Sequence, residues 1–387
     1  MKYVVAALAA VILAALILRR RSDEATGLFG NEKAELIDGV KRAIDALARE
    51  LEGKTSQFLR PDQMRHPLLI NLSLLALLDD VEAVGTPTTR LDVAEALAYM
   101  RLSSAAYGSI MLAALGDSSS AGVVPASENE DVAIAVACKA PTAELLMVAT
   151  SRPGVPAHFV ARLGSKIVVC VRGTRGIDDA VTDMIATSAD APELGGRAHA
   201  GIRDAARRVA TGKAADLAGR ASEIVVAGHS LGAGVAALLA LEFARNWPDK
   251  KVDCYCFAPP PVATRAPKLP NCDVRVVVND NDCVPSLSLA SVAELLVRAA
   301  NVDALSLTLR ERVALIANQD ARALKGVVTD GPSTIAPLAL VGDVFHIRGR
   351  ELLTPPASLF DRITVHRRMI LDHFPHNYEY ALARLLV

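Results

Sequence analysis

Short apolar runs alternate along much of the chain with longer stretches whose apolar residues recur at helical spacing. Runs at residues 166–171, 224–227, 252–257 and 274–278 have the length and apolar content of strands buried on both faces of a sheet. Helical stretches lie between several of these runs, which is the order that a parallel sheet with crossover helices produces. We therefore predict an α/β fold, with a mostly parallel sheet flanked by helices.

Other segments extend this pattern. Residues 157–163 and 166–171 are separated by Gly164-Ser165, which predicts a hairpin. Residues 68–78 are apolar except for Asn71 and Ser73 and too short to span a bilayer, so they predict either a packed helix or a segment resting on a membrane. The remaining predictions are helices at 91–115, 202–210, 292–300, 305–317 and 378–387, a mixed apolar and helical segment at 131–150, a helical stretch beginning at 178–185, a loop at 195–201, and strand-like segments at 340–347 and 360–371.

The N-terminal residues carry an uninterrupted apolar segment. Residues 3–18 contain no charged residue, and Arg19, Arg20 and Arg21 follow at once. Such a helix spans about 24 Å, and flanking basic side chains can reach across the rest of a ~30 Å hydrocarbon core. We expect residues 1–21 to be an uncleaved single-pass anchor that leaves the body of the protein in the cytosol. The alternatives are a cleaved signal peptide and a buried helix, although the positive charge mainly follows the apolar run.

Composition narrows the possible chemistry. The 387 residues carry a net charge of −1, so no long-range field favours nucleic acid as a partner. The six cysteines show no C-x-x-C spacing and the histidines do not cluster with them, so we expect neither a disulfide framework nor a zinc site. Cys254 and Cys256 alternate along a predicted strand and should face the same side as small buried residues.

One short motif indicates a candidate nucleophile. Gly228, His229, Ser230, Leu231 and Gly232 form a G-x-S-x-G pattern between a predicted strand and a stretch of small apolar residues with helical preference. This context predicts a nucleophile elbow, in which the serine sits in a strained backbone conformation and the glycines leave room for the turn. The backbone N–H after the serine, at the start of the helix, would face a developing oxyanion.

A serine hydroxyl needs a histidine to take its proton and a carboxylate to orient that histidine. In α/β-hydrolases the acid and then the base follow the nucleophile on loops after later strands. Asp280 and Asp282 both lie in the loop after the strand at 274–278. His373 lies between a strand-like segment and the final helix, and His376 is the alternative base. The reaction predicted from these residues needs no metal or cofactor.

Four motifs along the chain resemble those of the class 3 (fungal-type) lipases, in particular those similar to diacylglycerol lipases. They are residues 168–174 (VVCVRGT), which resemble the family's V-x-R-G-T segment, residues 228–234 (GHSLGAG), the D-x-V-P step that begins at Asp282, and the Asp-His pair that ends at His373. The resemblance implies that Asp282 is the acid and His373 the base. It also implies that Thr174 supplies the second oxyanion donor beside the Leu231 N–H.

The resemblance runs from about residue 91 to the end of the sequence and implies an α/β-hydrolase fold. We expect a lipase domain at 90–387, preceded by the anchor and by a helical extension or linker at 22–89. Residues 286–337 match no fixed family pattern, and we expect a lid or a regulatory loop there.

The function implied is that of a membrane-anchored serine lipase. It would hydrolyse acylglycerol esters, with diacylglycerol converted to monoacylglycerol and a fatty acid through an acyl-enzyme. The partners expected are a lipid substrate and the membrane around residues 3–18. Phospholipase A1, triacylglycerol lipase and general carboxylesterase activities are alternatives, and a non-catalytic lipid-binding scaffold on the same fold is a more remote one.

Overall fold

The computed structural model describes residues 64–79, 83–115, 117, 124–174, 188–320, 324 and 338–387. The predicted anchor at 1–21 and the helical stretch predicted at 178–185 lie outside these residues. Within the ranges just given, no helix is long and apolar enough to cross a membrane.

A single large sheet organises the described residues, and nine strands join it in the order β1-β11-β10-β9-β8-β7-β4-β3-β2. Strands β4, β7, β8, β9 and β10 run parallel to one another, and the strands at both edges pair antiparallel. The α/β fold with a mostly parallel sheet is confirmed. The strands are β1 (Thr86–Pro87), β2 (Glu144–Ala149), β3 (His158–Leu163), β4 (Lys166–Val171), β5 (Ser188–Ala191), β6 (Gly196–His199), β7 (Glu223–His229), β8 (Lys251–Phe257), β9 (Cys272–Asn279), β10 (Asp343–Arg348) and β11 (Glu351–Thr354).

Several strand predictions need correction. The loop predicted at 195–201 is wrong, because β6 pairs with β5 in a separate two-stranded sheet. These strands are short and contain glycine, alanine and polar residues, so no apolar alternation marks them. The segment at 131–150 contains a helix followed by the edge strand β2, whose side chains are mostly half-buried. The strand-like segment at 360–371 contains no strand. It begins as a 3₁₀ turn at Ala357–Phe360 and ends in another at Leu371–His373.

Helices cover both faces of the sheet, as the sequence predicts. Their N-termini carry local signals, such as Asp92 accepting the Glu95 N–H and a capping box between Ser288 and Ser291. The helices are α1 (Leu68–Leu78), α2 (Val93–Ala105), α3 (Ser109–Ala114), α4 (Glu128–Lys139), α5 (Ala200–Ala210), α6 (Lys213–Ala218), α7 (Leu231–Asn246), α8 (Leu289–Asp303), α9 (Leu309–Asn318) and α10 (Pro375–Arg384).

Alternate residues of the central strands point to opposite faces and divide the core into two layers. Val226, Cys254 and Cys256 pack in the layer with α5, α6 and α7. Val225 and Tyr255 belong to the layer with α2, α4 and α10. The two cysteines lie on one face and are fully buried, as predicted. Helix α7 is buried on nearly all sides, which explains why it consists mainly of alanine, leucine and glycine.

A third apolar cluster lies beside the carboxyl end of β9, and we call it the cap cluster. It joins α1 and α8 to the residues around Cys283 and to the segment at 363–370. Leu72, Leu74 and Leu75 of α1 are fully buried, so the packed-helix alternative for residues 68–78 is confirmed. The cap cluster consists of Leu68, Leu72, Leu74, Leu75, Cys283, Val284, Leu287, Val292, Leu295, Leu296, Ala299, Val302, Leu324, Ile363, Val365 and Met369.

A buried ion pair fixes the cap cluster to the segment at 363–365. Arg298 of α8 is fully buried and pairs with Asp79 at the end of α1. Arg298 Nη1 also donates to the Ile363 carbonyl oxygen at 2.9 Å, and the Val365 N–H donates to Asp79 Oδ2 at 2.7 Å. A buried charge needs such partners, because its desolvation costs several kcal/mol. Helix α8, which lies within residues 286–337 where a lid or regulatory loop is expected, is thereby held to α1 and to residues 363–365.

Candidate active site

The sharp turn between β7 and α7 has the geometry predicted for a nucleophile elbow. Ser230 has φ of 60°, a left-handed value that a residue with a side chain adopts only under constraint. A Cβ on Gly228 would stand 2.5 Å from the Gly232 carbonyl oxygen, and one on Gly232 would overlap the Val171 carbonyl oxygen. Only glycine fits at these two positions, because strand, turn and helix approach one another through backbone atoms.

The structure brings Ser230, His373 and Asp282 together. His373 Nε2 lies 3.0 Å from Ser230 Oγ, and His373 Nδ1 lies 2.9 and 3.1 Å from the two oxygens of Asp282. Ser230 comes from the end of β7, Asp282 from the loop after β9, and His373 from the 3₁₀ turn before α10. All three stand at the carboxyl edge of the parallel strands, where loops from separate strands converge.

The alternative acid and base lie elsewhere. Asp280 Oδ1 accepts the Gly349 N–H at 3.0 Å, and its Oδ2 lies 3.9 Å from Arg384. Asp280 has φ of 41°, so the chain turns between it and Asp282 and sends the two carboxylates apart. His376 belongs to α10, where its ring lies 5.9 Å from that of Phe374.

The Asp282 carboxylate is held by three donors. Besides His373 Nδ1, it accepts the Val284 N–H at 2.9 Å and the Tyr378 hydroxyl at 2.6 Å. Burial raises the pKa of Tyr378 well above its usual value, and the Asp282 charge raises it further, so the hydroxyl keeps its proton and donates. The Asn279 N–H in turn donates to Tyr378 Oη at 3.1 Å. The carboxylate therefore has one orientation, with both oxygens occupied.

A second carboxylate joins the loop after β9, which carries Asp282, to the turn before α10, which carries His373. Asp372 is buried beside His373, and its Oδ2 accepts the backbone and side-chain N–H groups of Asn281 at 3.2 and 3.1 Å. Its Oδ1 lies 2.7 Å from Arg368 Nη2. Burial raises the Asp372 pKa and the Arg368 guanidinium opposes that rise. Because Asn279 Nδ2 also donates to the Asp372 carbonyl oxygen at 2.9 Å, the loops that carry Asp282 and His373 are joined on both sides.

The predicted oxyanion donors lie beside the elbow. Gly173, the residue before Thr174, passes so close that a Cβ there would stand 3.2 Å from Ser230 Cβ. Thr174 Oγ1 is buried and has no hydrogen-bond partner in the part of the chain that the structure describes. Leu231 begins α7, and the first amide groups of a helix have no acceptor within the helix. A buried orphan hydroxyl and a free helix terminus are what an oxyanion would satisfy.

Two tyrosines were not predicted to have roles at this site, and the structure places both against it. Tyr378 donates to Asp282, as described above, and the sequence predicts it only as part of the final helix. Tyr107 follows α2, far away in the sequence, and its hydroxyl lies 2.9 Å from His229 Nδ1. No local signal singles out Tyr107, because its partner lies 122 positions later in the chain.

The arrangement can perform nucleophilic catalysis. His373 Nε2 is placed to take the Ser230 proton, and Asp282 is placed to hold Nδ1 in its protonated tautomer. Ser230 is only 4% exposed, and the side chain of His373 is 18% exposed, so water has limited access to the pair. Over the described ranges, no three histidine, cysteine, aspartate or glutamate side chains come together to hold a metal ion. Fold and site together define a serine hydrolase of the α/β-hydrolase class.

Comparison with known proteins agrees with this class. Residues 168–292 match the model of the class 3 lipase family. Diacylglycerol lipase-beta of Mus musculus is 42% identical over 106 residues, which cover 24% of this chain and 15% of the mouse protein. A Rhizomucor miehei lipase in complex with its propeptide is similar with a TM-score of 0.47 at 16% identity, over 76% of this chain and 83% of its own. Yarrowia lipolytica Lip2 lipase is similar with a TM-score of 0.47 at 13% identity, over 75% and 94%.

Proposed function

We propose that the protein is a serine lipase that hydrolyses acylglycerol esters, with diacylglycerol as its preferred substrate. The observation that carries this proposal is the unbroken hydrogen-bonded chain from Ser230 Oγ through His373 to Asp282, at an elbow with a left-handed serine. A strained backbone and a buried histidine–aspartate pair in contact are expected for a nucleophilic serine and not for a structural one.

In the proposed mechanism, Ser230 Oγ attacks the acyl carbonyl carbon while His373 Nε2 takes the serine proton. The carbonyl oxygen gains negative charge and accepts hydrogen bonds from the Leu231 N–H and from Thr174. His373 then returns the proton to the leaving glycerol oxygen as the carbon–oxygen ester bond breaks, which leaves the acyl group on Ser230. Water, deprotonated by His373, releases the fatty acid and restores the serine. Asp282 offsets the positive charge of His373 in both steps.

The choice of substrate rests on sequence. The mouse relative named above is a diacylglycerol lipase, and the similarity covers part of that protein. Residues 3–18 supply an apolar segment that three arginines follow, and an anchor at 1–21 suits a substrate dissolved in a membrane. The anchor would keep the active site at the bilayer surface and leave the catalytic domain in the cytosol. Triacylglycerol, phospholipid and short soluble esters are the competing substrates.

A substrate panel tests the proposal directly. Purified protein is offered diacylglycerol, triacylglycerol, monoacylglycerol and phosphatidylcholine in the same detergent, together with a soluble p-nitrophenyl ester. We expect fastest release of fatty acid from diacylglycerol and loss of all hydrolysis in Ser230→Ala. Ser222→Ala, which removes an exposed serine just before β7, is the matched control and should keep full activity. Faster turnover of phosphatidylcholine would reassign the substrate. Hydrolysis retained by Ser230→Ala would reject the mechanism, and an inactive wild type would favour a lipid-binding scaffold.

The anchor has its own test. Chains 1–387 and 22–387 are expressed in the same cells and separated into membrane and soluble fractions. We expect the longer chain in the membrane fraction and the shorter one in the soluble fraction with its p-nitrophenyl ester turnover intact. A shorter chain that stays with the membrane would place the attachment in another part of the protein.

A further inference from the structure

His229 and Tyr107 form a polar pair beneath the elbow that the proposed mechanism does not use. Both side chains lie in the interior, with exposed fractions of 1% and 3%. His229 Nδ1 lies 2.9 Å from Tyr107 Oη, and His229 Nε2 lies 2.8 Å from the backbone carbonyl oxygen of His373. A neutral core histidine needs one acceptor and one donor, and here the acceptor belongs to the residue proposed as the general base.

The direction of each hydrogen bond follows from the partners. A carbonyl oxygen only accepts, so His229 Nε2 carries the proton and donates to His373. Burial and the nearby His373 lower the pKa of His229 well below its usual value, so the ring is neutral and Nδ1 is an acceptor. Tyr107 must then donate its hydroxyl proton to Nδ1. Burial raises the pKa of Tyr107, which keeps that proton in place.

The pair also reaches the oxyanion side of the site. The Gly173 N–H donates to Tyr107 Oη, and a Cβ on Gly173 would overlap that oxygen. One continuous chain of hydrogen bonds therefore runs from Gly173, next to Thr174, through Tyr107 and His229 to the carbonyl of His373. It passes directly beneath Ser230, which is the neighbour of His229 in the sequence.

We infer that Tyr107 and His229 are positioning residues that set the distance between the oxyanion loop, the nucleophile and the base. The inference rests on the proposed function and concerns the same site. The three segments come from separate parts of the polypeptide, and the hydrogen bonds of Tyr107 and His229 link them behind Ser230. Misplacement of reacting groups by about 1 Å can cost about a hundredfold in rate.

The ring of His229 has a second effect on the base. Its centroid lies 4.8 Å from that of His373, with the two planes tilted by 38°. His373 becomes positively charged during the proposed reaction, and a second positive charge at this distance would oppose that step. Burial keeps His229 neutral, with Nδ1 accepting the Tyr107 hydroxyl proton, so the ring adds no positive charge beside His373. The pair thus also preserves the ability of His373 to take a proton.

The test measures turnover per active site instead of total activity. Variants Tyr107→Phe, His229→Leu and His229→Gln are prepared, with Tyr99→Phe as the matched control. Tyr99 is a 1% exposed tyrosine of α2, bonded to Glu95 and remote from the site, so its variant controls for loss of a buried hydroxyl. A fluorophosphonate probe titrates the competent sites in each preparation and also gives the rate at which those sites are labelled. The kcat and KM for a soluble p-nitrophenyl ester are then calculated per titrated site.

We expect Tyr107→Phe to lower kcat per titrated site about tenfold, and His229→Leu about a hundredfold, with KM changed less than about twofold. His229→Gln keeps an amide donor toward the His373 carbonyl and should recover much of the loss. The double variant Tyr107→Phe/His229→Leu should be no slower than His229→Leu alone, because the two residues act through one chain of hydrogen bonds. Tyr99→Phe should keep the wild-type kcat per site.

If Tyr107 and His229 have a purely structural role, their variants should have a lower melting temperature and fewer titratable sites. The kcat per titrated site would then stay at the wild-type value in Tyr107→Phe and His229→Leu, and that result would overturn the inference. If His229→Leu does not fold, Tyr107→Phe, which loses one oxygen atom, still decides. Wild-type protein that hydrolyses no ester and takes up no probe would instead reject the proposed function, so the two failures are distinguishable.

Discussion

Replacing each of the two candidate acids in turn distinguishes them sharply. In Asp282→Asn, a neutral amide with one acceptor oxygen faces the three donors that the carboxylate now satisfies: His373 Nδ1, the Val284 N–H and the Tyr378 hydroxyl. The amide NH₂ is best accommodated if His373 changes tautomer and accepts at Nδ1. That change puts the proton on Nε2, 3.0 Å from Ser230 Oγ, where it can no longer take the serine proton.

The magnitude follows from this geometry. A triad histidine held in the wrong tautomer loses about ten-thousandfold in kcat, which is about 5 kcal/mol of transition-state stabilisation. Asp280→Asn should change kcat less than about threefold, because asparagine tolerates left-handed backbone and its oxygen can still accept the Gly349 N–H. Both variants have the same size and the same change in charge, so each is the control for the other.

The assay compares turnover of a p-nitrophenyl ester with the rate of fluorophosphonate labelling, on protein whose fold is checked by circular dichroism. Both rates should fall in Asp282→Asn and neither in Asp280→Asn. Asp282→Asn that keeps more than a tenth of the wild-type kcat, or Asp280→Asn that loses as much as Asp282→Asn, would refute the assignment of Asp282 as the acid.

Three further predictions concern stability and the elbow. Arg298→Met leaves the buried Asp79 carboxylate with only the half-exposed Arg362, 3.7 Å away, as a cationic partner. Urea titration should therefore show a loss of about 3 kcal/mol, partly restored by adding Asp79→Leu, and an unchanged midpoint would contradict this. Gly228→Ala puts a methyl group 2.5 Å from a backbone oxygen, so ester turnover should fall more than about tenfold, and full activity would show that the elbow can relax. Burial lowers the pKa of His346 to about 4, below its usual 6.5, so its folded form resists protonation. The free energy of unfolding of the wild type, relative to His346→Gln, should therefore be constant above about pH 6.5 and fall by up to about 3 kcal/mol as pH falls toward 4. If the free energies of unfolding of the two proteins change in parallel with pH, the lowered pKa of His346 is contradicted.

Errors in the predicted elements share a physical cause. Strands β5 and β6 carry glycine, alanine and charged residues, and they form because their backbone groups pair with each other. Strands formed in this way show no alternation of apolar and polar residues in the sequence, so the sequence does not predict them. Residues 360–371 look like a strand because apolar side chains alternate there, yet Ile363, Val365 and Met369 are buried in the cap cluster without strand pairing. Burial produces the pattern whether or not a sheet is present.

Residues 286–337 show what helical spacing leaves undecided. The spacing predicts helices at 292–300 and 305–317, and α8 and α9 lie close to these bounds. Two arginines, Arg298 and Arg312, are nevertheless fully buried there, where a helical pattern places charges on the solvent side. Their partners are Asp79, Asn71 and backbone carbonyl groups of distant or neighbouring turns. Only the folded chain supplies those partners.

The sequence by itself determined the features that are local in the chain. The parallel strands, the elbow and the helix that follows it depend on neighbouring residues, so spacing and glycine positions suffice to predict them. The tertiary structure alone decided what lies across loops: that Asp282, 91 positions before His373, faces the base while Asp280 turns away, and that Tyr107, 122 positions before His229, completes the chain beneath Ser230. Hydrogen bonds of that range leave no periodic trace in the sequence, because one side chain at each end is enough to form them.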